Sequence, residues 1–271
     1  MVAPPDGFAA VYAVELLCEA PPRIEAKELL ARMRDRIGAA GLVDPDPRTA
    51  GLNFHFPQHR VPFKNESVPV QVVVGLLHHP VDDRALSAAL EQSWDWSGAR
   101  EAVAMHRVSV VVSDLLASQL PYKERLDLFQ QALLATLEVV PAMGILWRPC
   151  GRLVDPTAYR RSHRDGPKKD PLFGPVNVRL FPEDEEGEVV MDTMGLAALG
   201  LPDLQCRFKG VDPNAVAGLL HGAARYVYEK GDVLDDGHTV PAPKGGKWTC
   251  WRRPAIAPPA RPAIEIVPAD R

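Results

Sequence analysis

The residues that could carry chemistry are scattered along this chain. Four of them surround one Asp-Gly turn: Asp232, Asp235, Asp236 and His238. Carboxylates beside a tight turn can bind calcium or magnesium, although this spacing differs from that of an EF-hand loop. Asp-Gly is also common in ordinary turns. A metal site and a plain turn therefore both stay open for this segment.

Three histidines are further candidates. His78 and His79 are adjacent, so in an extended chain their side chains point to opposite faces and rarely share one metal. His106 lies between a predicted helix and a predicted strand, and a general base there would need a proton donor within reach. The sequence identifies no such donor, which favours a structural role. G-x-S-x-G, H-E-x-x-H and phosphate-binding glycine motifs are missing, so we expect no catalytic residue, cofactor or metal.

Charged runs are better candidates for binding than for catalysis. An acidic run could complement a basic groove on a partner and speed association. It comprises Glu183, Asp184, Glu185, Glu186 and Glu188. A basic run over residues 160–169 lacks the interleaved aromatic residues that would argue for nucleic-acid binding. Two solvated loops are the simpler interpretation of both runs.

The stretch Gln92-Ser93-Trp94-Asp95-Trp96 places one carboxylate between two of the five tryptophans. It follows a predicted helix, where Asp95 could help to cap a helix end and the indoles could pack as a structural anchor. The alternative is a partner-binding edge, because tryptophan is frequent in interface hot spots. The position after a helix favours the structural anchor. Trp94, Asp95 and Trp96 stay candidate partner contacts under the alternative.

The elements that must position these residues follow an α+β pattern. Val68 to Leu77 is a β-branched run typical of a central strand, and Tyr122 to Val139 carries an apolar stripe at helical spacing. Asp212 and Pro213 indicate the start of a helix that reaches about Glu229. We predict a mixed sheet covered by helices over residues 1–155, of α/β type. A basic connector follows over 156–175, then a smaller α+β module over 176–271.

Composition limits the possible partners. The net charge of −4 over 271 residues is too mild for binding of nucleic acid or membranes by the whole surface. No signal peptide or membrane span is recognisable, so we expect a cytoplasmic protein. The four cysteines are far apart and form no C-x-x-C pair. Reduced, buried thiols are the simplest expectation, with disulfides left open.

Three segments, residues 92–116, 122–156 and 189–208, together resemble a bacterial family of domain-of-unknown-function proteins. The most distinctive part is Met-Asp-Thr-Met-Gly-Leu from residue 191, followed by Gly-Leu-Pro-Asp from residue 200. Some members lie beside polymorphic or secreted toxins and act as immunity proteins. The resemblance implies a class of role and transfers no catalytic residue onto this sequence.

The resemblance therefore implies an immunity protein, or antitoxin, that occludes a cognate protein toxin. If that toxin is a nuclease, its groove is basic, and the acidic run is the first candidate contact. An uncharacterised enzyme or small-ligand-binding protein is the alternative, with His106, Asp192, Asp203, Asp235 and His238 as its best residues. A secretion-system adaptor is a third possibility. An enzyme needs a polar pocket with perturbed titratable groups, whereas a binding protein needs an exposed patch.

Overall fold

The computed structural model describes residues 6–43, 51–77, 83–164, 169–182, 187–243 and 245–269. The α+β class is confirmed: within these ranges, six α-helices and thirteen strands form two sheets with helices packed against them. The chain divides into two compact units. The larger unit comprises residues 10–174, and the smaller unit combines the described residues up to Ala9 with those from Pro175 onwards.

The larger unit is built on a seven-stranded sheet with the order β2-β3-β4-β5-β1-β6-β7. Its strands are β1 (Ala13–Cys18), β2 (Gly41–Leu42), β3 (Leu52–Phe63), β4 (Glu66–Leu77), β5 (Val108–Leu115), β6 (Gly144–Trp147) and β7 (Arg152–Val154). Its helices are α1 (Ala26–Ile37), α2 (Asp83–Glu91), α3 (Ala99–Met105), α4 (Tyr122–Val139) and α5 (Pro156–Ser162).

Strand direction in this sheet differs from our expectation of a mixed sheet. All of its described pairings are antiparallel. The β-branched runs predict central strands but carry no information on direction, which the connections decide. A tight turn at Lys64 and Asn65 joins β3 to β4 as a hairpin, and this connection requires antiparallel neighbours.

Helices cover both faces of this sheet, because successive strand residues point to opposite sides. On one face, Val14 and Leu16 of β1 are fully buried, and α4 packs with α1 and contributes a core that includes Phe129 and Leu133. On the other face, α2 and α3 pack over the end of the sheet formed by β1, β6 and β7. That contact is a compact apolar cluster made of Leu17, Leu86, Ala89, Ala99, Leu146 and Leu153.

The smaller unit is built on a six-stranded sheet with the order β11-β12-β13-β10-β9-β8. Its strands are β8 (Asn177–Pro182), β9 (Val189–Met194), β10 (Asp203–Phe208), β11 (Thr239–Pro241), β12 (Lys247–Pro254) and β13 (Pro262–Val267). The pairing of β10 with β13 is parallel and the other described pairings are antiparallel, so this second sheet is the mixed one. Helix α6 (Pro213–Lys230) packs against β8, β9 and β10.

Local signals explain how α6 begins. Pro213 occupies the first turn, and the Asp212 side chain accepts a hydrogen bond from the Asn214 amide at 3.0 Å. The helix ends at Gly231, which adopts a φ of 88° and so lets the chain leave the helix.

Two general features of the chain complete the description of the fold. All four cysteines are buried and lie outside any disulfide. None of the described helices is long and apolar enough to cross a membrane.

Candidate functional site

The tryptophan-rich corner, residues 92–96, lies between α2 and α3 along the chain and is hydrogen-bonded to strand β7. The hydroxyl of Ser93 donates to the carbonyl of Ala89 at 2.6 Å and accepts from the amide of Leu153 at 3.1 Å. Ser93 is buried, so both hydrogen bonds are shielded from water. Ser93, which lies between α2 and Trp94 in the chain, thus fixes the corner to the sheet.

The two indoles of the corner have different surroundings. Trp96 is half-buried and packs against the apolar cluster under α2 and α3, with its ring over Gly144. Trp94 is 56% exposed, the largest exposed fraction among the large apolar side chains of the described residues. Trp96 therefore anchors the corner, while Trp94 presents an aromatic surface to solvent.

Asp95 is held in place by an arginine from β7. The Nη2 atom of Arg152 donates to Asp95 Oδ2, and the Arg152 guanidinium lies 4.9 Å from the centre of the Phe173 ring. The Arg152 side chain is only 12% exposed, so its charge is largely shielded. The carboxylate between the two indoles consequently has a fixed direction, and no local sequence signal indicates Arg152 as its partner.

The acidic run lies largely outside the described residues. Glu183, Asp184, Glu185 and Glu186 fall in the gap before residue 187. Glu188 is described: it is half-buried and lies in the wall of a cavity that also contains Arg207 and Lys209. The role of these carboxylates as partner contacts stays a prediction.

The Asp-Gly turn is organised by an arginine. Arg252 donates from Nη1 and Nη2 to the two oxygens of Asp232, at 3.0 and 2.6 Å, and from Nε to Asp235 at 3.1 Å. The Arg252 amide donates to Asp236 at 2.6 Å, and the Asp235 amide donates to Nδ1 of His238 at 3.1 Å. These contacts favour the turn interpretation. Across the described part of the chain, no group of three or more His, Cys, Asp or Glu residues is arranged to hold a metal ion.

Asp192 and Asp203 belong to a buried network that holds the proline-rich segment 255–261. Arg179 binds Asp192 through two hydrogen bonds of 2.9 and 2.6 Å. Arg261 binds Asp192 at 2.6 Å and Asp203 at 3.0 Å, and it also donates to the carbonyls of Ala257 and Pro259. Asp203 is fully buried, and burial raises its pKa, although Arg261 acts in the opposite direction. These carboxylates are closed to substrate and stabilise the fold.

His106 lies in the larger unit, whereas the other four residues of the enzyme alternative lie in the smaller one. Its Nε2 atom is 2.9 Å from the hydroxyl of Ser109, which has no exposed surface. Burial lowers the pKa of His106, and Glu15 partly opposes this shift. A histidine that is only 5% exposed and is paired with a fully buried serine supports the structural interpretation. His78 and His79 lie outside the described residues.

Two concave surfaces of the smaller unit were not predicted. One is an apolar groove of about 760 Å³ between α6 and residues 233–241, with Gly218, Gly222 and Tyr226 on the helix side. The other is a basic cavity of about 510 Å³, which includes Arg207 and Lys247. Their residues come from distant parts of the chain, so no local motif marks either surface.

Comparison with known proteins gives one match. A family model described as a domain of unknown function, DUF4261, matches residues 192–267, which run from within β9 to the end of β13. This part overlaps the 189–208 segment of the resemblance, but not the segments in the larger unit. No curated protein and no solved structure matches the chain. The matched part is thus similar to a family whose description names no activity, ligand or partner.

Proposed function

We propose that this protein is an immunity protein that binds a cognate bacterial toxin and neutralises it by occlusion. The observation that supports this proposal is the exposed indole of Trp94 on a corner fixed by its neighbours. A rigid, exposed tryptophan suits a protein interface because it buries a large area at little cost in side-chain entropy. The resemblance to immunity proteins suggests that the partner is a toxin. The acidic run favours a nuclease with a basic groove as that toxin.

The direction of Asp95 adds to this argument. Arg152 holds the carboxylate of Asp95, the residue after Trp94, so the corner offers an apolar ring and a fixed hydrogen-bond acceptor on consecutive residues. Interface hot spots combine such an aromatic group with polar atoms that are already oriented before binding. In this proposal Trp94 inserts into the toxin, Asp95 accepts a hydrogen bond at the rim, and Trp96 supports both.

The test is co-expression with the product of the neighbouring gene, followed by co-purification and a toxicity assay. Binding should be weakened in Trp94→Ala by about thirtyfold, or about 2 kcal/mol, while the melting temperature holds. Trp251→Ala is the matched control, because Trp251 is also exposed, at 37%, but lies on β12 in the smaller unit.

Three outcomes separate the possible roles. A complex that abolishes toxicity, and that Trp94→Ala weakens while Trp251→Ala does not, supports the proposal. A complex without inhibition indicates a secretion-system adaptor. If no complex forms and toxicity is unchanged, the immunity proposal is wrong.

A small-ligand-binding role is the second candidate, and the apolar groove beside α6 favours it. Its volume lies within the range of about 300–1,000 Å³ that is usual for ligand pockets. Because Asp235 donates its amide proton to His238 Nδ1, the neutral His238 ring carries its own proton on Nε2, as a donor at the groove. An uncharged fluorescent probe, Nile red, should bind the wild type and lose binding in Gly222→Leu, which fills open space in the groove. Equal fluorescence of both proteins would argue against this role.

A further inference from the structure

The basic cavity opens where several strands of the smaller unit end or begin. Because β10 and β13 are parallel neighbours, their carboxyl ends open on the same side of the sheet. The antiparallel strand β12 begins on that side, at Lys247. The cavity of about 510 Å³ is lined by the end of β10, by Pro268 after β13, and by the turn that leads into β12. The sheet topology therefore creates this concavity.

The charged side chains in its walls are mainly cationic. Among the described residues that line the cavity, Arg207, Lys209 and Lys247 contribute three positive charges and Glu188 contributes one negative charge. The Nε atom of Arg207 is fully buried, so part of this charge acts in a region of low dielectric constant. Attraction between opposite charges is stronger there than in bulk water. The excess of positive charge at a concave wall favours an anion.

The remaining lining is aromatic and glycine-rich. Trp248 and Phe208 are buried beneath the cavity, with 7% and 3% of their surfaces exposed. Gly245 and Gly246 adopt φ values of 92° and 80°, and the Ala242 amide donates to the Gly246 carbonyl at 3.1 Å to close the turn. Because these two glycines have no side chains, a ligand can approach the backbone closely at this point.

We propose that this cavity binds a small organic anion in which a phosphate or carboxylate group is attached to a flat apolar body. Lys209, Lys247 and Arg207 receive the anionic group, while the body packs beside Trp248 and Phe208. The volume suits a small ligand rather than a folded domain. The site does not depend on the proposed function, because the tryptophan-rich corner belongs to the larger unit.

The test is an NMR titration of the full chain with phenyl phosphate, benzoate and phenol. We expect saturable shifts of the Gly245 and Gly246 amides and of the Trp248 indole N–H with at least one of the two anions, and none with uncharged phenol at the same concentration. Tighter binding of phenyl phosphate identifies phosphate as the preferred group, and tighter binding of benzoate identifies carboxylate. If neither anion gives saturable shifts at millimolar concentration, the proposal is wrong.

Matched variants distinguish the cavity from a general effect of charge. Lys209→Ala and Lys247→Ala should each weaken binding about tenfold, because each removes one charge-assisted contact. Lys230→Ala changes the net charge equally, but Lys230 is exposed at the end of α6 and does not line the cavity. Binding in Lys230→Ala should match the wild type. Equal weakening in all three variants would overturn the proposal, provided that their spectra show the native fold.

Discussion

Trp94 and Trp96 are separated by one residue, yet Trp96 packs over Gly144 while Trp94 is 56% exposed. The difference arises because Ser93 binds the backbone of both α2 and β7, which fixes the direction of the chain at this corner. One indole then meets the apolar cluster of the larger unit, and the other faces water.

This relationship predicts that the two tryptophans contribute unequally to stability. Trp96→Ala should lower the free energy of unfolding by about 3 kcal/mol, because it removes a large ring from an apolar cluster. Trp94→Ala should change it by less than about 1 kcal/mol, since surface substitutions rarely do more. Urea unfolding of both variants measures the difference. Equal losses would show that both indoles act as anchors.

The buried network around Arg261 makes a second prediction. Asp192→Ala should destabilise the smaller unit by about 3–5 kcal/mol, because it removes the carboxylate that the buried guanidinium groups of Arg179 and Arg261 share. Asp232→Ala is the matched control. It also removes a carboxylate bound to an arginine, but its ion pair is exposed, so the loss should be about 1 kcal/mol or less.

Chemical unfolding monitored by circular dichroism measures both variants. If Asp192→Ala costs no more than Asp232→Ala, the buried network contributes little to the fold.

Two buried histidines predict a loss of stability in mild acid. Burial lowers the pKa values of His106 and His163 below 6.5, the value expected in the unfolded chain. Below about pH 6.5 the unfolded chain therefore binds protons that the folded chain does not, and stability falls with pH. The double variant His106→Gln, His163→Gln should flatten this dependence between about pH 6.5 and 5. Equal slopes for both proteins would contradict this explanation.

Two glycines should respond to alanine in opposite directions. Gly195 has a φ of 136°, and a Cβ there would lie 2.1 Å from the carbonyl oxygen of Pro175, so Gly195→Ala should cost about 3 kcal/mol. Gly218 lies within α6 with open space around its Cβ position, so Gly218→Ala should gain about 0.5–1 kcal/mol. Thermal melts of the two variants provide the measurement, and shifts of the same sign would refute the argument.

The sequence predicted those elements whose signals are local. Helix α4 has the predicted bounds, Tyr122–Val139, because its apolar residues recur at helical spacing. Helix α6 begins at the predicted Asp-Pro pair. Helix α5 begins at a similar pair, Asp155 and Pro156, but the basic residues that follow led us to assign it to the connector. The basic residues after Pro156 therefore hid the Asp-Pro signal for the start of a helix.

The candidate sites were harder to predict because they depend on contacts between distant residues. Asp95 and its partner Arg152 are 57 positions apart in the chain. The basic cavity combines Glu188, residues 207–211, Ala242 and residues 245–248. The Asp-Gly turn could be located from the sequence. Its structural role depends on Arg252, which lies in strand β12. Spacing along the chain carries no record of such pairings.

The parallel pairing of β10 with β13 has a consequence for protein synthesis. Residues 203–208 leave the ribosome well before residues 262–267, so β10 must wait for a partner strand that emerges later. The sheet of the larger unit, in contrast, has all its described strands once residue 154 has emerged. A nascent chain can therefore complete the first sheet while the second still lacks a central strand, with one side of β10 open to chaperones.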